Sequence, residues 1–179
     1  MDDKLVVKTA VKVSTVSIVL NIVLSMLKLL AGIFGKSMAM LSDAIHSLSD
    51  VFGSIIVIIG VKVSKKKEDA DHPFGHDRLE CLASLALGAI LFFTGAMLAY
   101  EGIDKIYTKA PISTPGKIAL FAAIVSIIAK EGMFWYTKIN ANRINSDALR
   151  AEAWHHRSDA LSSVGSLIGV AGAMLGLKI

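Results

Sequence analysis

Apolar residues fall into five long blocks along this chain, separated by short polar segments. The blocks cover about residues 13–35, 38–63, 79–107, 117–138 and 146–177. Each is long enough to cross the roughly 30 Å hydrocarbon core of a bilayer, which takes about 20 helical residues. Because few charges interrupt the blocks, the pattern predicts membrane-spanning helices. The predicted fold is an all-α membrane protein, a bundle of about five transmembrane helices, preceded by a polar tail over residues 1–12.

Helix-breaking and capping residues lie between the blocks. Pro111 and Pro115 are expected to end the third helix and open the fourth. Ser146 is expected to cap the fifth helix, with Asp147 in its first turn. No cleavable signal peptide is expected, because the first apolar block is too long for one.

The composition excludes some kinds of site. The chain is 54% hydrophobic, and its one cysteine, Cys81, allows neither an internal disulfide nor a cysteine-based metal cage. The net charge of +4 gives no reason to expect a nucleic-acid partner. Basic residues are better interpreted as topology signals and contacts with lipid headgroups.

The distribution of Lys and Arg predicts the orientation. Eleven Lys and Arg residues lie in the N-terminal tail, around the connector between the second and third blocks, or around the connector between the fourth and fifth blocks. Five lie on the opposite side. Cytoplasmic segments carry the excess of basic residues. We therefore expect a multi-pass protein of the cell membrane with a cytoplasmic N-terminus; with five spans, the C-terminus would lie outside.

Two blocks carry ionisable residues in positions where apolar ones are expected. His46 and Asp50 lie in the second block, and His155 and Asp159 in the fifth. Residues four apart project from one face of a helix. Such groups are costly in hydrocarbon and are a functional-site hypothesis by default. The alternative is that each pair forms a hydrogen bond or an ion pair with a neighbouring Lys or Arg.

The two pairs are predicted to lie at the same depth. At 1.5 Å per residue, His155 and Asp159 lie roughly 14 and 20 Å from the cytoplasmic start of the fifth block. Asp50 and His46 lie roughly 20 and 25 Å from the cytoplasmic end of the second. We therefore expect these four residues, called here the His–Asp quartet, to meet near the membrane midplane, where secondary transporters hold their substrates.

The quartet offers two imidazole nitrogens and two carboxylates, a set suited to tetrahedral Zn²⁺. Imidazole also suits Co²⁺, Ni²⁺ and Fe²⁺, so the donors leave the metal open. The carboxylates cancel the charge of a divalent cation. Protons can replace the metal on His and Asp, which is a natural basis for metal–proton exchange.

Other ionisable residues are assigned supporting roles. His156 points about 100° away from His155 and is expected to support the site, not to bind metal. Asp43 is expected near the aqueous end of its helix. Four further charges at or near membrane depth are expected to pair with carboxylates between helices: Lys28, Lys130, Glu131 and Arg157.

A second candidate metal site lies in the charged connector between the second and third blocks. Asp69, His72 and His76, called here the loop triad, could converge on one cation, with Pro73 and Gly75 shaping the turn. This loop is predicted to face the cytoplasm, where it could recruit metal before entry. A solvated, charged loop without metal explains the spacing equally well.

Three segments together resemble the cation diffusion facilitators. Residues 37–50 resemble the second-helix motif of that family, residues 72–76 with Glu80 resemble its loop before the third helix, and residues 145–163 resemble its fifth helix. The resemblance implies a homodimeric divalent-cation exporter that works by alternating access with proton antiport. It places the family's midplane metal site on the quartet and its loop site on Asp69, His72 and His76. A quartet of this composition is associated with zinc, often with cobalt or cadmium tolerated.

Family members usually have a sixth span and a cytoplasmic metal-binding domain, and the sequence shows neither. We therefore expect a fragment or an unusual member. A non-transporting metal-binding subunit that assembles with a full-length partner is the alternative function. A membrane metalloenzyme ranks last, because no HExxH-type motif occurs and every candidate carboxylate already serves as a ligand.

Overall fold

The fold was described from a computed structural model, which describes residues 3–34, 38–69, 72–108 and 117–174. The described residues form five helices and no strand: α1 (Asp3–Phe34), α2 (Met38–Ser64), α3 (Arg78–Thr108), α4 (Lys117–Ile144) and α5 (Asp147–Met174). The predicted all-α fold with five helices is confirmed. Pro111 and Pro115 lie outside the described residues.

Four helices contain a stretch long and apolar enough to cross a membrane: Asp3–Phe34, Asp43–Ser64, Arg78–Met97 and Leu120–Ile144. Over its described residues, α5 does not qualify. Between its first residue and Asp159 it carries five charged side chains, and serines and glycines follow them. The fifth predicted span therefore exists as a helix, but one of mixed polarity.

Helix α1 begins at Asp3, well before the predicted first span. The predicted tail is therefore helical. The reason is a 3.6-residue pattern in which Val6 and Ala10 are buried while Lys4 and Lys8 are exposed on other faces. The cytoplasmic placement of this segment stays a prediction.

The hydrophobic core is concentrated at one end of the bundle. Its residues come from the start of α1, the end of α2, the start of α3, the end of α4 and the start of α5: Val6, Ala10, Val13, Val57, Val61, Ala83, Leu87, Ala141, Ile144, Ala148 and Leu149. At the far end a much smaller cluster joins Ala31 and Ala122. The five helices are thus packed tightly at the end predicted to be cytoplasmic.

A close approach of backbones joins α2 to α3. A Cβ atom built on Gly60 would lie 2.3 Å from the Cβ of Ala83, so only glycine fits there without a shift. Apart from this region, α3 is peripheral: Ala83 and Leu87 are its only buried side chains among those described.

A tight turn joins α4 to α5. Asn145 adopts a left-handed conformation with φ of 52°, as is common just beyond a helix end. The backbone N–H of Leu149 donates to Ser146 Oγ over 3.3 Å, which confirms the predicted cap. The turn makes α4 and α5 antiparallel neighbours and brings the middle of α4 beside the middle of α5.

The bundle has an apolar outside and a partly polar inside. Large apolar side chains such as Phe92, Phe93 and Ile128 are exposed, which suits a hydrocarbon surrounding. Conversely, the buried face of α1 includes polar residues at spacings of three and four: Ser14, Ser17, Asn21, Ser25 and Lys28. The polar face of α1 is turned towards α2 and α5, which carry the predicted quartet.

Candidate metal centre

The quartet residues from α2 and α5 lie together inside the bundle. His155 Nε2 lies 3.2 Å from Asp50 Oδ1 and 3.8 Å from Asp159 Oδ2. His46 Nε2 lies 3.8 Å from Asp159 Oδ1. One ligand atom from each of His46, Asp50 and Asp159 lies within 4.8 Å of the other two. These three residues are close enough together for one cation, and His155 reaches the group through Asp50 and Asp159. Metal binding there stays a prediction.

Access to the quartet differs between its members. The side chains of His155 and Asp50 are 6% and 3% exposed, whereas that of His46 is 35% exposed. His46 thus lies at the rim of the group and His155 at its bottom.

Lys130 of α4 joins the quartet as a fifth charged group. Its Nζ donates to Asp50 Oδ2 and, over 2.9 Å, to Asp159 Oδ2. The sequence predicted that Lys130 pairs with carboxylates between helices, and this is what the structure shows. It did not predict that both partners belong to the quartet.

A second buried lysine lies on the other side of the quartet. Lys28 Nζ lies 2.9 Å from Asp43 Oδ2 and donates to Ser47 Oγ over 2.7 Å. The hydroxyl of Ser25 also donates to the Ala44 carbonyl over 2.7 Å. These contacts tie α1 to the first half of α2, so Asp43 serves the helix–helix contact and does not join the quartet.

A polar cluster that the sequence analysis missed lies one turn before the quartet on α5. Glu152 is buried and accepts hydrogen bonds from Ser14 Oγ at 2.8 Å and from Ser54 Oγ. His156 Nε2 lies 3.2 Å from Ser17 Oγ and 4.0 Å from Glu152 Oε1. The cluster therefore joins α1, α2 and α5. The three- and four-residue spacing of polar residues in α1 was the signal that could have revealed it.

His156 belongs to this cluster and not to the quartet. Its ring centroid lies 6.2 Å from that of His155, and its contacts are with α1. This agrees with the supporting role that its position on the helix predicted. Three buried groups near these clusters have no hydrogen-bond partner among the described residues: His155 Nδ1, His156 Nδ1 and the Asn21 amide. Buried polar groups in folded proteins normally have hydrogen-bond partners, so these three groups stand out in the polar interior of the bundle.

Two of the charges expected to pair between helices, Arg157 and Glu131, form no ion pair with another described residue. Arg157 lies over the ring of Phe134, 4.6 Å from its centroid. Glu131 accepts a hydrogen bond from Trp135 Nε1 on its own helix at 3.1 Å. Aromatic side chains near the α4–α5 contact provide the partners of both residues. The spacing of charges along the sequence could not show that an aromatic side chain would face them.

The loop triad also comes together in the structure. Asp69 Oδ1 lies 3.3 Å from His72 Nδ1, and Asp69 Oδ2 lies 3.5 Å from His76 Nε2. One ligand atom from each of the three residues lies within 4.8 Å of the other two. Gly75 has a φ of 80°, and its N–H donates to the His72 carbonyl over 3.1 Å. The turn that Gly75 permits brings His76 back towards Asp69.

Lys66 stabilises the ionised form of the one carboxylate in the loop triad. Its Nζ donates to Asp69 Oδ2 over 2.7 Å, and the His72 backbone N–H donates to Oδ1 over 2.9 Å. The Lys66 ammonium, assisted by that backbone N–H, holds the pKa of the Asp69 carboxyl well below its usual range. Asp69 is therefore ionised, as a metal-binding carboxylate must be.

Residues 14–178 match the family described as the cation efflux transmembrane domain. The chain belongs to the cation efflux family. The match covers all five helices except the first turns of α1. It confirms the family resemblance that the second-helix, loop and fifth-helix motifs indicated.

Named relatives of the cation efflux family extend the comparison. The chain is 46% identical to the uncharacterized transporter MJ0449 of Methanocaldococcus jannaschii, over 86% of this chain and 54% of that protein. It is 36% identical to the manganese efflux system protein MneP of Bacillus subtilis, over 92% and 55%. It is 35% identical to metal tolerance protein C1 of Arabidopsis thaliana, over 93% and 38%. The chain thus spans about half the length, or less, of these curated relatives.

Proposed function

We propose that this chain is the transmembrane part of an exporter that moves a divalent metal cation, zinc in the first instance, out of the cytoplasm in exchange for protons. The observation that carries the proposal is the meeting of two His–Asp pairs inside a membrane helix bundle. His155 Nε2 lies 3.2 Å from Asp50 Oδ1, and His46 Nε2 lies 3.8 Å from Asp159 Oδ1. Membership of the cation efflux family supports it.

The donor set favours zinc. Two imidazole nitrogens and two carboxylate oxygens suit a tetrahedral Zn²⁺ site. Mn²⁺ prefers carboxylate, carbonyl and water oxygens and binds imidazole sites less tightly. One relative is named for manganese efflux, so direct competition between Zn²⁺ and Mn²⁺ is the measurement that assigns the cargo. We expect Zn²⁺ to bind more tightly than Mn²⁺ in this competition, and Co²⁺ and Cd²⁺ to be transported less well than Zn²⁺.

Exchange for protons follows from the same donors. Imidazole and carboxylate bind metal only when they are deprotonated, so metal binding and proton binding compete at the quartet. A site that takes metal from one side of the membrane and protons from the other couples the two gradients. In such an alternating-access cycle the substrate site stays near the midplane while the helices around it rearrange.

The loop triad is proposed as a recruiting site at the cytoplasmic face. Asp69, His72 and His76 lie outside the helices, and His72 is exposed. An ionised carboxylate with two imidazoles can bind a divalent cation weakly enough to release it. We propose that the complete exporter is a homodimer, which cross-linking in the membrane would test.

The test is metal uptake into proteoliposomes that contain this chain. Asp50→Ala combined with Asp159→Ala should abolish Zn²⁺ uptake and the accompanying proton movement, followed with a metal-sensitive and a pH-sensitive dye. Asp147→Asn is the matched control, because Asp147 is an exposed carboxylate at the start of the same helix. Unchanged Zn²⁺ uptake by the double variant would refute the proposal.

The second candidate function is a metal-binding subunit that does not transport by itself. The observation that favours it is that α5, which carries two quartet residues, is not among the described helices that are apolar enough to cross a membrane. It predicts that the same vesicles bind Zn²⁺ through the quartet but show no uptake until a longer family member is added. Uptake by vesicles that contain only this chain would exclude it.

A further inference from the structure

Lys130 lies where the two carboxylates of the quartet face each other. Its side chain is 2% exposed and comes from α4, which contributes no member of the quartet. One ammonium group contacts both Asp50 Oδ2 and Asp159 Oδ2. A single cation on the protein's own chain therefore already bridges the two carboxylates.

The oxygens of the quartet divide between Lys130 and the imidazoles. Asp50 presents Oδ2 to Lys130 and Oδ1 to His155, and Asp159 presents Oδ2 to Lys130 and Oδ1 to His46. Asp159 Oδ2 also lies 3.8 Å from His155 Nε2. Each carboxylate thus contacts both the ammonium and an imidazole. A divalent cation held between Asp50 and Asp159 would bind the same two carboxylates that now accept from Lys130.

Charge explains why an ammonium belongs there. Two ionised carboxylates with little exposure are very costly inside a membrane unless a cation balances them. Lys130 supplies that cation. Its flexible four-carbon side chain also lets the ammonium move aside, which a group fixed to the backbone could not do.

We propose that Lys130 is a tethered counter-cation that occupies the carboxylates of the quartet between transport events and sets metal affinity by competing for the same oxygens. The proposal rests on the proposed transport site. Its consequence is that the exporter binds its metal more weakly than the four donors alone would allow. Weaker binding favours release, which a transport site needs as much as capture.

The other lysines that contact candidate carboxylates provide comparisons. Lys66 contacts Asp69 in the loop triad but is 61% exposed, and exposed ion pairs contribute little free energy. Lys28 is as buried as Lys130, but its carboxylate partner is Asp43, outside the quartet. Only Lys130 is both buried and bound to quartet oxygens among the described residues.

The test is equilibrium Zn²⁺ binding to the purified chain in detergent. Asp69→Ala is included in every variant so that the loop triad does not contribute. Lys130→Met should bind Zn²⁺ at least about tenfold more tightly, because a neutral side chain of similar length no longer competes for the carboxylates. Lys28→Met, the matched control, should leave the affinity within about twofold.

Heat stability gives an independent readout. Without metal, Lys130→Met should unfold at a lower temperature than the parent, because two buried carboxylates lose their counter-cation. Saturating Zn²⁺ should raise its unfolding temperature by more than it raises that of the parent. If Lys130→Met does not fold, Lys130→Arg serves instead: it keeps the charge and should bind Zn²⁺ no more tightly than the parent.

The outcomes separate this inference from the proposed function. If Asp50→Ala abolishes Zn²⁺ binding but Lys130→Met binds no more tightly than the parent, Lys130 does not compete and the inference is wrong. A tighter Lys130→Arg variant would also overturn it. If Asp50→Ala binds Zn²⁺ normally, the quartet is not the metal site. The proposed function is then refuted whatever the result with Lys130→Met.

Discussion

His155 Nε2 and Asp50 Oδ1 lie 3.2 Å apart although 105 residues separate them in the sequence. The contact joins the middle of α5 to the middle of α2 and makes these two helices the walls of the candidate metal centre. Both side chains are almost completely buried, so neither is satisfied by solvent. Their contact is the part of the structure on which the proposed metal binding depends most directly.

The adjacent histidines of α5 should respond differently to replacement. His155→Ala removes an imidazole from the quartet and should weaken Zn²⁺ binding by at least about tenfold. His156→Ala removes contacts with Ser17 and Glu152 instead, so it should lower stability by about 1–3 kcal/mol and leave the Zn²⁺ affinity near that of the parent. Zn²⁺ titration and thermal unfolding in detergent measure the two effects. A loss of affinity in His156→Ala with none in His155→Ala would contradict the assignment.

Gly60 should be intolerant of even a methyl group. Gly60→Ala places a Cβ within 2.3 Å of Ala83, so α2 and α3 must separate, at a cost of about 1–3 kcal/mol. Denaturant unfolding of the detergent-solubilised chain measures the change.

Gly88 provides the matched control for Gly60. It lies within α3, and a Cβ there would meet nothing within 4 Å. Gly88→Ala should leave stability unchanged or raise it by up to about 1 kcal/mol, since alanine favours a helix. Equal destabilisation by both substitutions would show that the close approach at Gly60 is not the cause.

Lys66 should control the titration of Asp69. Because its hydrogen bond is the largest cause of the lowered pKa of Asp69, Lys66→Met should raise that pKa towards the ordinary carboxyl value. The stabilisation that a depressed carboxyl pKa provides is present above the ordinary pKa and is lost as the pH falls through the lowered one. In Lys66→Met the Asp69 carboxyl should therefore protonate at higher pH, and this stabilisation should be smaller.

Carbon-detected NMR of the Asp69 carboxyl measures that titration. Lys67→Met is the control, since Lys67 is the exposed neighbour of Lys66 in the same connector. An Asp69 titration that does not move in Lys66→Met would show that another group sets its charge.

The sequence was sufficient for the helices and for the members of the quartet, because both follow local rules. Apolar block length predicts a helix that can span a membrane, and a four-residue spacing places His46 with Asp50 on one helix face. Helix ends were less predictable. The first turns of α1 have lysines on their outer face, which lowered the hydropathy although Val6 and Ala10 are buried.

Beyond the meeting of the two His–Asp pairs, the specific partners across helices could not be predicted, because they depend on how each helix is rotated about its axis. The sequence placed Lys130 among charges that pair with carboxylates, but not opposite Asp50 and Asp159. Likewise, nothing local distinguished Arg157, which lies over the Phe134 ring, from a residue that pairs with a carboxylate. The Glu152 cluster was missed for a related reason: its hydroxyl donors come from α1 and α2, over a hundred and nearly a hundred residues away.

The mixed polarity of α5 bears on how the protein is made. Charged residues at the centre of a helix oppose its partition from the translocon into lipid, and α5 carries Glu152, Arg157 and Asp159 among its first turns. Their partners, Ser14, Ser54, Phe134 and Lys130, belong to α1, α2 and α4, which are synthesised earlier. These charged residues of α5 thus have partners in helices that precede it in the chain, and the candidate metal centre is complete only once α5 has packed against them.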